Sequence, residues 1–220
     1  MKKYSASIKL KGFMFAWFLR LQRLTWRVCF QNREYLDQLY GSKSKFLLCF
    51  WHGKYVPIFP LMEGYEAYVL SNLSKRGAVI GEICRNFGYH IARIPDERRI
   101  DTLKIMVELL SSARAVGIAV DGPLGPRHRV KANIIRMASA LECDLLPVSV
   151  GSRRKLVLNK RWDRMELPLP FTRVCLVFGK PIKVPSKLPD RQIEELAGHL
   201  AGTISYLDDK AENIVLRQGK

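Results

Sequence analysis

One histidine and one turn rich in glycine and proline carry the residue types that acid–base chemistry needs. An apolar run at 46–51 ends at His52, and imidazole is the side chain used most often as a general base. A second apolar run at 116–120 leads into Asp121, the first residue of the turn 121–127, which reads Asp-Gly-Pro-Leu-Gly-Pro-Arg. His52 alone is also consistent with a hydrogen-bonded core residue. The turn is more elaborate than a chain reversal requires, so it predicts a functional site.

The residue types of this turn suit the binding of an anion. Its prolines stiffen the backbone, its glycines let backbone amides approach a ligand, and its arginine carries a planar guanidinium that suits phosphate. A rigid turn without a ligand is the alternative. We predict that Asp121 acts in catalysis and that the turn contacts substrate through Gly122, Pro123, Gly125 and Arg127.

Strands and helices are predicted to alternate after residue 45, which indicates one α/β domain. Its largely parallel central sheet is expected to be covered by helices on both faces. Functional groups in such sheets lie beyond the carboxyl ends of the strands, so His52 and Asp121 are expected to meet there. Strands are predicted at 46–51, 67–73, 90–94, 116–120, 145–150 and 174–178, and helices at 78–87, 98–113, 130–141 and 190–207.

Charge narrows the possible partners. The chain of 220 residues has 37 Lys and Arg against 20 Asp and Glu, a net charge of +17. A field of this sign attracts nucleic acid or anionic phospholipid. The sequence contains no helix-turn-helix, zinc-finger or aromatic-rich nucleic-acid motif. Anionic membrane lipids are therefore the expected partner, and binding to nucleic acid is the weakest alternative.

The five cysteines are widely spaced, and none forms a Cys-x-x-Cys pair. This pattern argues against a disulfide framework and against a zinc site, and it predicts reduced, mostly buried thiols. The histidines share no metal-ligand spacing either. The sequence therefore implies no metal and no bound cofactor.

The first 31 residues differ from the rest, and we treat 1–31 as a membrane-surface segment and 32–220 as the α/β domain. The segment lacks a small-residue cleavage site, and three arginines oppose insertion across a bilayer. A helical wheel separates arginines from aromatic residues, which predicts an interfacial helix. The alternative is a helix that packs its aromatic face on the core. The predicted membrane contacts are Phe15, Phe18, Arg20, Arg23, Trp26 and Arg27.

Several further motifs occur in a recognisable order. They are Trp51-His52-Gly53, Ser71-Asn-Leu-Ser74, Arg93, Asp121 to Arg127, Leu146-Pro147-Val148, Trp162-Asp163-Arg164, Pro168-Leu-Pro170-Phe171 and Gly179-Lys-Pro181-Ile182. In order and spacing they resemble a bacterial branch of the lysophospholipid-acyltransferase superfamily, long catalogued as a domain of unknown function. The likeness spans about residues 45–185.

This resemblance implies acyl transfer from an acyl thioester, either acyl-CoA or acyl-acyl-carrier protein, to a hydroxyl of a lipid or lipid-linked saccharide. It also implies peripheral attachment to the cytoplasmic face of the inner membrane, with acyl-carrier protein as a possible partner. His52 matches the catalytic base. The acceptor's phosphate is expected at Arg127 and Arg93, and further substrate contacts are expected at Ser71, Ser74 and Pro147.

One departure from glycerolipid acyltransferases leaves two interpretations open. Those enzymes carry an acid five residues after the histidine, whereas this chain has Pro57 there. A histidine without a carboxylate partner is poorly oriented as a base. Either a distant acid replaces the missing one, for which we select Asp121, or the chain is an inactive lipid-binding protein of the same fold.

Overall fold

The computed structural model describes residues 6–94 and 102–217, which form one mixed α/β unit. Its helices are α1 (Ala6–Thr25), α2 (Glu34–Gly41), α3 (Tyr55–Leu61), α4 (Lys75–Asn86), α5 (Thr102–Leu110), α6 (Ala132–Ala140) and α7 (Asp190–Arg217). Its strands are β1 (Arg27–Gln31), β2 (Phe46–Phe50), β3 (Tyr68–Asn72), β4 (His90–Ile94), β5 (Ala115–Ala119), β6 (Asp144–Ser152), β7 (Lys155–Val157), β8 (Glu166–Pro168) and β9 (Arg173–Phe178).

Seven of these strands form the central sheet, in the order β1-β9-β6-β2-β5-β3-β4. Neighbouring strands are parallel except β6 and β9, so β9 and β1 run against the other five. The predicted largely parallel sheet is confirmed. Strands β7 and β8 form a separate antiparallel hairpin.

Helices cover both faces of the sheet, which explains why β2 and β6 are buried along their whole length. One core contains residues of α1 to α4, and the core on the opposite face contains residues of α5, α6 and α7. A strand covered on both faces needs apolar side chains throughout, so it reads as a continuous apolar run. For this reason the six strands predicted from such runs are all found, each within two residues of its predicted limits.

The elements that the sequence did not predict are short or lie at the sheet edge. They are strand β1, the β7–β8 hairpin and helices α2 and α3. The helix predicted at 98–113 is found as α5 from Thr102, and its first predicted turn lies outside the described residues. Helix α7 continues ten residues beyond the predicted end at 207.

The N-terminal helix α1 is shorter than the expected membrane-surface segment 1–31. It ends at Thr25, and Arg27 begins a strand that pairs with β9, so the residues after Thr25 do not continue the helical wheel. Trp26 is only 5% exposed and belongs to the core, so its predicted membrane contact is wrong. Arg20 turns toward the domain, where its guanidinium bonds Glu63 at 2.6 Å.

The cysteine prediction is also wrong at one pair. Cys29 and Cys175 are register partners on the parallel strands β1 and β9, with Cα atoms 4.6 Å apart, and they form a disulfide. Sequence spacing cannot reveal this pairing because 146 residues separate the two cysteines. The other three, Cys49, Cys84 and Cys143, are free and buried as predicted.

Candidate active site

The side chain of His52 is paired with a carboxylate that lies far along the sequence. His52 opens a single 3-10 turn, His52–Lys54, directly after β2. Its Nδ1 lies 2.7 Å from Oδ2 of Asp163, in the loop of the β7–β8 hairpin, and the Asp163 side chain is fully buried. The His52 side chain retains about 20% exposure. A carboxylate on Nδ1 fixes the ring and leaves Nε2 for proton transfer.

Asp121 contacts His52 in a different way from the one predicted. Its Oδ1 accepts a hydrogen bond from the backbone N–H of His52 at 2.8 Å, and its Oδ2 accepts a longer one from the backbone N–H of His128 at 3.4 Å. The carboxylate is completely buried. The two strand ends therefore meet as expected, but Asp121 holds the backbone and does not orient the imidazole. The predicted role of Asp121 as the ring's acid partner is wrong.

Asp163 is kept ionised by its neighbours. Burial acts to raise the pKa of its carboxyl, but hydrogen bonds from Arg161 and His52 outweigh this effect and hold the pKa below its usual value. Arg161 donates to both oxygens, from Nε to Oδ1 at 2.9 Å and from Nη2 to Oδ2 at 2.8 Å. Such a bidentate pair fixes the plane of the carboxylate as well as its charge. Asp121 differs, because burial is the dominant influence there and raises its pKa.

Two glycines allow the hairpin loop to pack against both strand ends. A Cβ atom on Gly53 would collide with the backbone oxygen of Asp163, so this position needs glycine for close approach. A Cβ on Gly125 would come within 2.7 Å of the Trp162 ring, and Gly125 also has a φ of +70°. The Trp162 ring centroid lies 5.2 Å from that of His52. The loop thus covers both the histidine and the turn 121–127.

A buried network of charges ties the hairpin to the His52 turn. Lys54, only 4% exposed, bonds Glu166 of β8 at 2.8 Å and Glu212 of α7 at 3.2 Å. Lys155 of β7 pairs with the same two glutamates. Burial acts to lower the pKa of Lys54, but the carboxylates of Asp208, Glu166 and Glu212 outweigh it and the pKa is raised. The charged lysine therefore anchors the hairpin two residues from the base.

Asp121 and Gly125 of the turn 121–127 are buried, and the residues between and after them reach the surface. Gly122 and Gly125 both adopt positive φ near +70°, which glycine tolerates, and Lys131 hydrogen-bonds the carbonyl of Gly125. Pro123 and Arg127 are exposed, and no ion pair occupies the guanidinium of Arg127 among the described residues. The structure thus leaves Arg127 accessible, as expected for a substrate contact.

The serines predicted to bind substrate have partners within the turn between β3 and α4. The hydroxyl of Ser71 donates to the Gly77 carbonyl at 2.8 Å. Ser74 caps α4, accepting from the Gly77 N–H at 3.0 Å and donating to Asn72 at 2.6 Å. These bonds satisfy the turn and the helix start. They account for both serines without a substrate.

Arg93 lies on β4, two strands away from β5, and it is the register partner of Ser71 on β3. Its Nη2 donates to the Asn72 carbonyl at 2.7 Å, and burial lowers its pKa. Pro147 is buried in the middle of β6, level with Cys49, and its carbonyl accepts from the Gly179 N–H at 2.8 Å. The predicted substrate contact of Pro147 is wrong because the sheet encloses it.

Asp163 is the residue of this candidate site that the sequence did not reveal. It stood within the motif Trp162-Asp163-Arg164, and its segment is the densest mixture of charge and aromatic residues in the chain. The only available signal was an acid inside this motif together with the acid missing near His52. Nothing in the sequence indicates that a loop 111 residues away folds back onto the histidine.

Comparison with known proteins supports the fold. The structure matches the crystal structure of the 1-acyl-sn-glycerophosphate acyltransferase PlsC from Thermotoga maritima with a TM-score of 0.51, covering 90% of this chain and 78% of that one at 18% identity. An uncharacterized protein of Rickettsia prowazekii (strain Madrid E) is 24% identical over 171 residues, which cover 76% of this chain and 77% of that protein. No protein-family model matches the chain. At these identities the likeness establishes a shared fold.

Proposed function

We propose that the chain is an acyltransferase with His52 as its general base. It transfers an acyl group from the thioester of acyl-CoA or acyl-acyl-carrier protein to a hydroxyl of a lipid or lipid-linked saccharide. The observation that carries the proposal is the 2.7 Å contact between Nδ1 of His52 and the buried carboxylate of Asp163. A paired, oriented imidazole that keeps about 20% exposure beside buried neighbours is poorly explained as structure alone.

Each residue of the site has a step in this reaction. Nε2 of His52 removes the proton from the acceptor hydroxyl as the oxygen attacks the thioester carbonyl. The tetrahedral intermediate then collapses to an ester, and the proton passes from His52 to the departing thiolate. Asp163 orients the ring and stabilises its charged form, as a carboxylate partner does in other histidine-based enzymes. Backbone amides of the glycine turns are the donors for the oxyanion.

The accessible guanidinium of Arg127 is the contact for a phosphate on the acceptor. An arginine binds phosphate through two parallel hydrogen bonds, which fixes orientation as well as charge. Arg127 lies six residues after Asp121, whose carboxylate bonds the His52 backbone. A phosphorylated acceptor held there would be oriented with respect to the imidazole.

The acyl chain is assigned to the apolar α3 side of the sheet, where a cavity of about 30 Å³ would have to widen to admit more than one methylene. Phe50, Ile58, Phe59, Met62 and Val69 are among its lining residues. Phe50 is two residues before His52, while Phe46 and Ala115 at the starts of β2 and β5 also line the cavity, so it extends along the sheet away from the site. A hydrocarbon chain gains about 0.8 kcal/mol for each methylene that it buries.

Attachment to a membrane surface is proposed through helix α1. The helix packs on the domain through Gly12, Ala16 and Leu19, while its outward face is apolar and exposed. The exposed apolar residues of α1 are Leu10, Phe13, Met14, Phe15, Trp17, Phe18, Leu21 and Leu24. Among the described residues, no helix is long and apolar enough to cross a bilayer. The proposed attachment is peripheral, at the cytoplasmic face of the inner membrane.

The decisive experiment measures transfer of a labelled acyl group by the purified protein. Acyl-CoA and acyl-acyl-carrier protein are offered as donors, and a lipid extract serves as the acceptor. We expect His52→Ala to lower the rate about a hundredfold to ten-thousandfold. His199→Ala, at an exposed position on α7, is the matched control.

Two outcomes would count against the proposal. An unchanged rate in His52→Ala would remove this histidine from the mechanism. Wild-type protein with no transfer from either donor would favour the inactive lipid-binding alternative. Mass spectrometry of lipids from cells with and without the protein would then identify the acceptor, because its acylated form is missing when the enzyme is absent.

A further inference from the structure

Three arginines stand in a row across three neighbouring strands at one end of the sheet. Arg27 of β1 is the register partner of Arg173 of β9. The pairing of β9 with β6 continues one residue beyond Ser152, because the N–H of Arg153 donates to the Arg173 carbonyl at 3.0 Å. Side chains at paired positions project on the same face of a sheet, about 5 Å apart.

This row carries three positive charges that no described carboxylate pairs with. Like charges directly opposite each other destabilise a pair of strands. Within the described ranges 6–94 and 102–217, no carboxylate lies within 4.0 Å of any of the three guanidinium groups. The Nη1 atom of Arg173 is buried and has no hydrogen-bond partner. A buried donor without a partner is costly, so its position calls for a ligand.

A small cavity opens beside the row. Arg27 and Arg173 line it together with Val28, Cys29 and Val215. The cavity therefore combines two cations with an apolar floor. Two guanidinium groups side by side match the oxygen atoms of a phosphate.

The row lies at the end of the sheet that carries His52. Strand β6 runs parallel to β2, so both end at this edge, and the antiparallel β9 begins there. Two large apolar side chains project at the same end: Phe171 is 79% exposed and Leu24 is 80% exposed. The N–H of Phe171 bonds Thr25 at 3.1 Å, which places the two segments side by side. Arginines next to exposed apolar residues are typical of a bilayer surface.

We propose that Arg27, Arg153 and Arg173 form a binding site for the phosphate of an anionic phospholipid headgroup in the bilayer. The site is separate from Arg127 and does not take part in the chemistry. It rests on the peripheral attachment proposed above. Its effect would be to set the His52 end of the sheet against the membrane, where a lipid acceptor enters.

The test compares flotation of the full chain with vesicles of phosphatidylcholine alone and with vesicles that also contain phosphatidylglycerol. Arg27→Gln with Arg173→Gln should weaken binding to the anionic vesicles by about tenfold to thirtyfold, because each surface arginine contributes roughly one factor of five. Binding to neutral vesicles should not change. The fold should persist, since the substitutions relieve repulsion, and near-ultraviolet circular dichroism checks it.

A matched variant separates the site from net charge. Lys43→Gln with Lys180→Gln also removes two exposed positive charges, but these lysines precede β2 and follow β9, at the opposite end of the sheet. Equal weakening by both pairs would overturn the proposal, because net charge alone would then explain binding. No weakening by the arginine pair would overturn it as well.

Two further arms separate this site from the rest of the proposal. Met14→Ser with Leu21→Ser on α1 should reduce binding to both kinds of vesicle; if it does so while the arginine pair has no effect, attachment stands and the arginine site falls. Inorganic phosphate is added to test for a free anion. If phosphate raises the melting temperature of the wild type but not of the arginine pair, and vesicle binding is unaffected, the site takes free phosphate and the lipid assignment is overturned.

Discussion

The turn around His52 and helix α1 differ in how their side chains meet the rest of the chain. Around His52, polar groups from three separate segments satisfy one another, with His52 bonded to Asp163 and Asp121 bonded to backbone N–H groups. On α1, a narrow face that includes Gly12 and Ala16 packs on α4, while the residues of the broad apolar face are about half exposed or more. The first region is complete within the molecule. The second leaves an apolar surface exposed, which a membrane or another partner would cover.

Because of this difference, we expect substitutions in the two regions to have independent effects. Charges at the site are held by hydrogen bonds and ion pairs, so substitutions there should alter catalysis and leave attachment intact. Apolar residues on the outer face of α1 contribute little to folding, so substitutions there should alter attachment and leave catalysis by detergent-dispersed protein intact. Four measurements test whether the comparison holds.

The largest expected effect is on catalysis by Asp163→Asn. The amide cannot stabilise the charged imidazole and can present a donor to Nδ1, so we expect acyl transfer to fall a hundredfold or more. Nitrogen NMR should show a loss of the Nδ1–H tautomer of His52. Asp121→Asn is the control, because its oxygen still accepts from the His52 N–H, and its rate should fall less. Equal losses would mean that the two acids do not have distinct roles.

The next effect is on membrane attachment by Met14→Ser with Leu21→Ser. Each side chain would lose roughly 1–1.4 kcal/mol of burial in the bilayer, so partition into vesicles should fall about thirtyfold to a hundredfold. Both residues are more than half exposed, so the melting temperature should hardly change. Tyr206→Ser removes an equally exposed ring from α7 and should leave partition unaffected. If Tyr206→Ser also lowered partition into vesicles, general surface hydrophobicity would explain the attachment instead of α1.

One kind of substitution can be applied to both regions. A Cβ on Gly12 would collide with Glu82 of α4, and a Cβ on Gly53 would collide with the backbone of Asp163. Each Gly→Ala change should cost about 1–3 kcal/mol of unfolding free energy. Only Gly53→Ala should also lower the rate of acyl transfer, because it displaces the acid.

The matched control for both glycines is Gly202→Ala on α7. No atom lies within 4 Å of the added Cβ there, and alanine favours a helix over glycine by about 0.5–1 kcal/mol. This variant should unfold at a higher temperature than the wild type. A loss of activity in Gly12→Ala equal to that in Gly53→Ala would show that the two regions are coupled.

The smallest expected effect is on the pH dependence of stability at the site. The His128 ring stacks on Trp51 with centroids 4.8 Å apart, and burial followed by the charge of Arg127 lowers its pKa from 6.5 to about 4. Between these values the unfolded chain binds the proton and the folded chain does not, so stability should fall as the pH drops from 6.5 toward 4. Because the ring is only partly buried, solvent screens this effect, and the contribution is about 1 kcal/mol.

Urea unfolding at several pH values measures this contribution. His128→Asn removes the titrating group and suits the positive φ of 60° at this position. We expect a flatter dependence between pH 6.5 and 4 in the variant. An unchanged slope would assign the dependence to other groups.

The strands that hold the site were predictable because each is buried on both faces. Burial forces apolar residues at every position of β2 and β5, and their ends at His52 and Asp121 follow from where the apolar runs stop. The meeting of the two ends was also predictable, since parallel strands end at the same edge of a sheet. The edge strand β1 has no such run, because its residues are only half buried and include Arg27 and Gln31.

The partner of His52 was not predictable in the same way. Asp163 lies in a loop between two strands of three residues each, and nothing local fixes where such a loop lies. Its position depends on the Lys54 charge network and on close packing at Gly53, both of which join residues more than a hundred positions apart. The disulfide between Cys29 and Cys175 escaped prediction for the same reason.

The sequence by itself determined the fold class, the strand ends that present His52 and the turn 121–127, and the strong positive charge. These properties depend on local periodicity and composition, which each segment carries alone. Only the tertiary structure decided which acid orients the imidazole, which face of α1 is left exposed and that three arginines stand in one row. Those outcomes depend on packing and strand register between distant segments. The contacts that stabilise them form only when these segments come together in the folded chain.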